Sequence, residues 1–213
     1  RSHLAPLLAR VSEESVRAIQ IVAGPRQVGK TTLIHNLLDR LSAQGRNQGY
    51  AWMFEAVDQF EAIQSLGSAS PEITVPDRTK LRDANWLAER WNAARARARQ
   101  WRSRESYDGS PYLLVFDEIQ KISNWSEQVK GLWDADRVER LNMHVVLLGS
   151  SPLLVQKGLT ESLAGRYELI NVSHWGLAEN QAAFDVTVEE HIFFGGYPGA
   201  IPLRHEEQRW RSY

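Results

Sequence analysis

Cysteine is absent from all 213 residues, which removes disulfides and thiolate metal sites together. A cysteine-free chain fits a reducing compartment, and the cytoplasm is the expected location. No stretch approaches the roughly eighteen consecutive apolar residues of a membrane helix, so no membrane span is expected. An excess of one charge is missing too: 25 Lys and Arg face 26 Asp and Glu, a net charge of −1. No global field therefore draws the chain to nucleic acid or to an anionic membrane. The six histidines are scattered, with no pair spaced i, i+4, so a structural zinc site is not expected. A G-x-S-x-G elbow is lacking, which removes the commonest sign of a serine hydrolase. An Asn-Lys-x-Asp run is lacking as well, and this favours adenine over guanine for any nucleotide bound.

What is present reads as a globular α/β domain. Apolar residues make up 43% and charged residues 24%, ordinary for a soluble core-forming chain. Short apolar runs alternate with longer amphipathic stretches. The runs Ala18 to Ala23, Tyr50 to Phe54, Tyr112 to Phe116, Val145 to Gly149 and Tyr167 to Val172 are expected strands. Three are nearly unbroken in apolar residues, as parallel strands covered on both faces would be. After Lys30, the residues Leu33, Ile34, Leu37, Leu38 and Leu41 form one helical face, with Gly45 as a C-terminal stop. A second helix is expected from Asp83 to about Arg102, carrying Trp86, Leu87, Trp91, Ala94, Ala98 and Trp101. A third follows Asn124, which has capping-box spacing to Glu127. Ser65 to Lys80 and Ser103 to Pro111, rich in Gly, Ser and Pro, read as loops. One domain, 1–213, is expected. Arg1-Ser2-His3 lacks a starting Met and the far end shows no closing cap, so the chain is expected to be a fragment of a longer protein.

The residues Gly24-Pro25-Arg26-Gln27-Val28-Gly29-Lys30-Thr31 match G-x-x-x-x-G-K-[ST] throughout. Glycines let the backbone curl so that successive N–H groups face phosphate oxygens. The helix that begins near Gly29 adds its positive N-terminal end. Lys30 reaches toward β- and γ-phosphates, and the Thr31 hydroxyl suits Mg²⁺. The motif follows an apolar strand and precedes an amphipathic helix, the setting it requires. ATP, or another nucleoside triphosphate, is the expected ligand, held by Gly24 to Thr32. The run Tyr112 to Phe116 then ends in Asp117-Glu118. Asp117 suits the second protein oxygen on Mg²⁺, and Glu118 suits the group that orients or deprotonates the attacking water. The strand ending at Gly149 presents Ser150 and Ser151. Ser150, nearer the strand end, is the favoured hydroxyl for sensing the γ-phosphate.

Together these segments resemble an AAA+ ATPase domain of the bacterial and archaeal group in which a further C-terminal domain follows. The resemblance rests on Gly24 to Leu33, Leu113 to Lys121, Leu147 to Ser151, Ser162-Leu163-Ala164-Gly165-Arg166 and Gly195-Gly196-Tyr197-Pro198. It implies a three-layer α/β sandwich around a five-stranded, mainly parallel sheet, with the catalytic strand between the loop strand and its neighbours. It also implies that Arg166 contacts phosphate, in its own subunit or in a neighbour's site, with a homo-oligomer or protein partner. The segment Ser68 to Arg104 matches no motif of that family.

Arg90, Arg95, Arg97, Arg99, Arg102 and Arg104 flank the apolar stripe of the second helix, with tryptophans between them. Nucleic-acid contact is one reading of that stripe; arginine stems bordering a core-packing helix is the favoured one. Three functions remain in order of expectation. The first is Mg²⁺-dependent ATP hydrolysis driving a conformational switch, the second a nucleotide-gated interaction module with little turnover, and the third a small-molecule kinase.

Overall fold

The structure, a computed structural model, describes residues 2–44, 50–58, 62–66, 72–74, 82–150 and 162–213. Five strands form the parallel core: β1 (Ile19–Ala23), β2 (Ala51–Ala56), β5 (Tyr112–Asp117), β6 (Met143–Gly149) and β7 (Tyr167–Asn171). These are the five expected from the apolar runs. Two short strands, β3 (Ala62–Leu66) and β4 (Glu72–Thr74), extend the sheet antiparallel beyond β2. They replace part of the expected loop, and the rest of Ser65 to Lys80 lies outside the described residues. The order is β4-β3-β2-β5-β6-β1-β7.

That order corrects one expectation. The acidic strand β5 does not adjoin the loop strand β1, because β6 lies between them and pairs with both. β6 pairs with β1 in parallel, from Gln20 opposite Val146 to Ala23 opposite Gly149. The carboxyl ends of β1, β5 and β6 are therefore successive in space, and their three following loops can share one site.

Side chains alternate across the sheet with the period of two that strand geometry imposes. Ile19, Ile21 and Ala23 of β1 enter one core, with α3 (Ala84–Arg102) and α4 (Trp125–Val138) laid over it. Val22 enters the other, covered by α1 (Leu4–Val11) and α2 (Lys30–Gln44). The result is a three-layer sandwich. The stop expected at Gly45 lies outside the described residues.

In α3 the tryptophans are core. Asp83 caps the helix by accepting from the Trp86 N–H at 2.9 Å. Trp91 stacks on Phe116 at 6.1 Å and Trp86 meets the same ring edge-on at 6.1 Å, which braces the strand that carries Asp117. Most of the flanking arginines are engaged with the protein itself. Arg95 pairs with Asp136 at 2.5 Å, Arg99 pairs with Glu139, and Arg104 lies over the Trp101 ring. Asn124 departs from expectation: it adopts a left-handed conformation (φ 55°) with no side-chain cap bond. Its partner in the expected box, Glu127, instead accepts a hydrogen bond from Ser162.

After β7 the chain adds α5 (Leu177–Phe184), α6 (Val188–Phe194) and α7 (Glu207–Ser212). Thr187 and Glu190 form a reciprocal capping box on α6. Among the described residues no helix is long and apolar enough to cross a membrane.

One buried charge has a measurable consequence. Glu55 of β2 is 1% exposed, and Arg90 Nη1 lies 3.9 Å from its carboxylate. Burial pushes its carboxyl up from 4.5 to about 7, against the opposing fields of Arg90, Arg82 and Arg97. The folded state thus binds this proton more tightly than the unfolded state. The corresponding stability is present below pH 4.5 and is lost as pH rises toward 7, an effect of roughly 3 kcal/mol. Glu55→Gln is expected to raise the melting temperature at pH 8, to change it little at pH 4, and so to flatten the pH–stability curve. Thermal melts across that range check it; curves of identical slope for both proteins would contradict the assignment.

Candidate active site

The residue types of the phosphate loop are explained by what surrounds them. A Cβ on Gly24 would lie 2.0 Å from the Val172 carbonyl oxygen, so close approach to the chain after β7 requires glycine there. Gly29 needs its freedom for another reason, a φ of 85°. Gln27 is also left-handed, at φ 62°, and the two reversals curl the loop back on itself. Val28 turns its side chain into the core, where it is fully buried. The first bond of α2, Leu33 N–H to the Gly29 carbonyl at 2.9 Å, starts the helix at the loop's end.

Lys30 is buried and donates to the carbonyls of Gly24 at 3.0 Å and Pro25 at 2.6 Å. Burial lowers its pKa, while the nearby charges of Glu118 and Asp117 oppose that shift. An anion bound beside it would favour the ammonium form further. Thr31 donates its hydroxyl to Asp117 Oδ2 at 2.6 Å, joining the start of α2 to the end of β5. The other carboxylate oxygen, Asp117 Oδ1, is buried and has no hydrogen-bond partner among the described residues. Desolvation raises the Asp117 pKa, with the Thr31 hydrogen bond acting against it. A cation at that oxygen would offset the desolvation.

Glu118 is left-handed at φ 58°. Its Oε2 accepts from Ser150 Oγ at 2.6 Å and from the Gln120 amide, which also donates to Ser150 Oγ at 3.1 Å. The hydroxyl at the end of β6 thus meets the carboxylate at the end of β5, as the strand order requires. Ser151 lies outside the described residues.

One cavity of about 710 Å³ collects these groups. Arg26, Gln27, Gly29, Lys30, Thr31, Thr32 and Glu118 line it, together with Asp58, Lys121, Pro198, Gly199 and Tyr213. Gly24, Pro25 and Val28 stand behind the loop and shape it through the backbone. Asp117 and Ser150 join the group through Thr31 and Glu118. Arg166 is not brought in. It makes a two-point ion pair with Asp134, at 2.8 and 3.0 Å, and its carbonyl accepts from the Ile19 N–H at the opposite end of β1. A second cavity of about 470 Å³ lies at the amino ends of the strands, beside Val16, Tyr107 and Asn142, and contains none of the expected site residues.

Several contributors escape sequence reasoning. The Trp175 indole donates to the Val28 carbonyl at 3.1 Å, holding the loop from the side of the C-terminal helices. The Trp175 N–H in turn donates to Gly196 at 2.9 Å, and a Cβ on Gly196 would lie 2.4 Å from the Trp175 carbonyl oxygen. The Gly195 to Pro198 segment carries a visible motif, but its place against the phosphate loop depends on contacts far apart in sequence. Gln120 follows the acidic pair and gives no spacing signal of its own.

The family described as the AAA domain matches residues 16–180. The chain belongs to the AAA-domain family. Solved structures agree with this AAA fold. The Walker-type ATPase PABY2304 of Pyrococcus abyssi has a TM-score of 0.58 and 13% identity, over 98% of this chain and 67% of that one. ORC1 of Aeropyrum pernix, in complex with DNA, has a TM-score of 0.54 and 12% identity, over 86% and 47%. AMPPCP-bound DnaA of Aquifex aeolicus has a TM-score of 0.52 and 13% identity, over 97% and 60%. At these identities the likeness is one of fold, and the AAA chain spans 47% to 67% of these three structures' own lengths. No curated protein matches the sequence.

Proposed function

We propose that this AAA domain binds ATP with Mg²⁺ and hydrolyses it to drive a conformational switch. The observation that carries the reading is the 2.6 Å contact between Thr31 and Asp117, with Asp117 Oδ1 buried beside it and unpartnered among the described residues. A hydroxyl and a carboxylate form a hard oxygen donor set. Mg²⁺ is commonly held by one or two such groups together with substrate phosphates. Thr31 and Asp117 would hold the ion, whose charge would offset that of the phosphates.

The chain's own groups supply the rest. The loop amides and the N-terminus of α2 cradle the phosphates. Lys30 exchanges the Gly24 and Pro25 carbonyls for phosphate oxygens. Glu118 orients the attacking water and takes its proton, while Ser150 and Gln120 fix the carboxylate. Phosphate release from ATP, measured with and without Mg²⁺, tests this. Turnover that requires Mg²⁺ and vanishes in Lys30→Ala supports it; turnover untouched by Lys30→Ala would refute it.

The position of Arg166 favours a second element within the same reading. Its place at the start of β1, away from the phosphate loop of its own chain, supports a role toward a neighbouring copy rather than its own nucleotide. Specific activity is then expected to rise with protein concentration, and Arg166→Ala to abolish the rise. Flat specific activity in the unchanged protein would contradict a shared site and leave Arg166 as a structural partner of Asp134.

A further inference from the structure

Asp58 and Lys121 line the same cavity as the phosphate loop and Glu118, yet the reading above gives neither a task. Both are tied to the end of β5. The N–H of Val57, next to Asp58, donates to the Asp117 carbonyl at 3.0 Å. Lys121 closes the 3₁₀ turn Ile119–Lys121, and its own N–H donates to the Glu118 carbonyl at 3.0 Å. Lys121 Nζ donates to Asp58 Oδ2 at 2.8 Å, and the two side chains remain 39% and 36% exposed. Water screens a pair this open, so a stronger anion can replace Asp58 cheaply.

Among the described residues, the cations lining the cavity are Arg26, Lys30 and Lys121. Lys30 is packed against the loop itself, where phosphates common to a diphosphate and a triphosphate would sit. Lys121 stands on the Glu118 side, three residues farther along. A water attacking the terminal phosphate must lie beside Glu118, so that phosphate is the one within reach of a lysine anchored to the same turn. We propose that Lys121 is a second phosphate-contacting cation of this site. It is held by Asp58 when no triphosphate is present, and released to the terminal phosphate when one enters. The inference rests on the ATP reading above and makes Asp58 and Lys121 a pair that distinguishes triphosphate from diphosphate.

Equilibrium binding of a non-hydrolysable ATP analogue and of ADP, each with Mg²⁺, tests the pair in a double-mutant cycle. Lys121→Ala is expected to weaken the analogue by about five- to tenfold and to leave ADP within about twofold. Asp58→Asn is expected to tighten the analogue by about threefold, again without effect on ADP. The double variant should behave as Lys121→Ala, because freeing an absent lysine gains nothing. Equal weakening of both nucleotides by Lys121→Ala would overturn the proposal. So would a gain from Asp58→Asn that survives in the double variant, since Asp58 would then act by its own repulsion. Failure of the unchanged protein to bind either nucleotide would count against the ATP reading itself. Normal binding with unaltered discrimination in Lys121→Ala would count against Lys121 alone.

Discussion

Glu118→Gln is expected to lower ATP turnover about 100-fold or more while leaving nucleotide affinity within about threefold. The amide keeps the shape of the side chain and still accepts at one oxygen, so the contacts from Ser150 and Gln120 are largely preserved. What it loses is the capacity to take a proton from water. Lys30, Thr31 and Asp117, which carry phosphate and metal in this account, are untouched. A variant that binds but stalls is therefore the expected result, read by phosphate release beside equilibrium binding. Turnover that survives unchanged would remove Glu118 from the chemistry and direct attention to other acids at the cavity wall, Asp58 first.

Gly24→Ala is expected to be the most damaging single methyl group in the domain. The added Cβ would stand 2.0 Å from the Val172 carbonyl oxygen and 3.0 Å from its carbon, both backbone atoms. Val172 cannot retreat easily, because its own N–H donates to the Ala23 carbonyl at 2.7 Å and continues the β1–β7 pairing. Relief must come from parting β7 from β1 or from moving the phosphate loop. A cost of about 3 kcal/mol, or roughly 6–12 °C in melting temperature, follows for a chain of this size. Nucleotide affinity should fall with it, since moving Gly24 away from Val172 displaces the start of the phosphate loop. A melting temperature within a degree of the unchanged protein would show that the approach at Gly24 is relaxed in solution.

The readable parts of this molecule were those with local signatures. The five core strands stand out because parallel strands covered on both faces need continuous apolar runs, and α3 stands out because its six buried residues keep helical spacing. The loop, Asp117, Glu118 and Ser150 follow strand ends, so their approximate meeting place was legible once a parallel sheet was accepted. Strand order was not: the resemblance puts the acidic strand next to β1, and β6 sits there instead. The antiparallel edge, β3 and β4, is hidden because Gly, Ser and Pro in that stretch read as turns. Asn124 shows the limit of spacing rules: the box needs extended backbone at the cap, and a left-handed residue cannot supply it. Trp175 and Asp58 reach the site through contacts far apart in sequence, which no window along the chain reveals.

The central claim is that Lys30, Thr31 and Asp117 form one Mg²⁺-dependent nucleotide site. Titrating ATP into the unchanged protein and into Lys30→Ala, each with Mg²⁺ and with a chelator, tests it most directly. The account predicts saturable binding that weakens at least about tenfold without Mg²⁺ and is nearly lost in Lys30→Ala at either condition. Binding that is indifferent to both Mg²⁺ and Lys30 would contradict it.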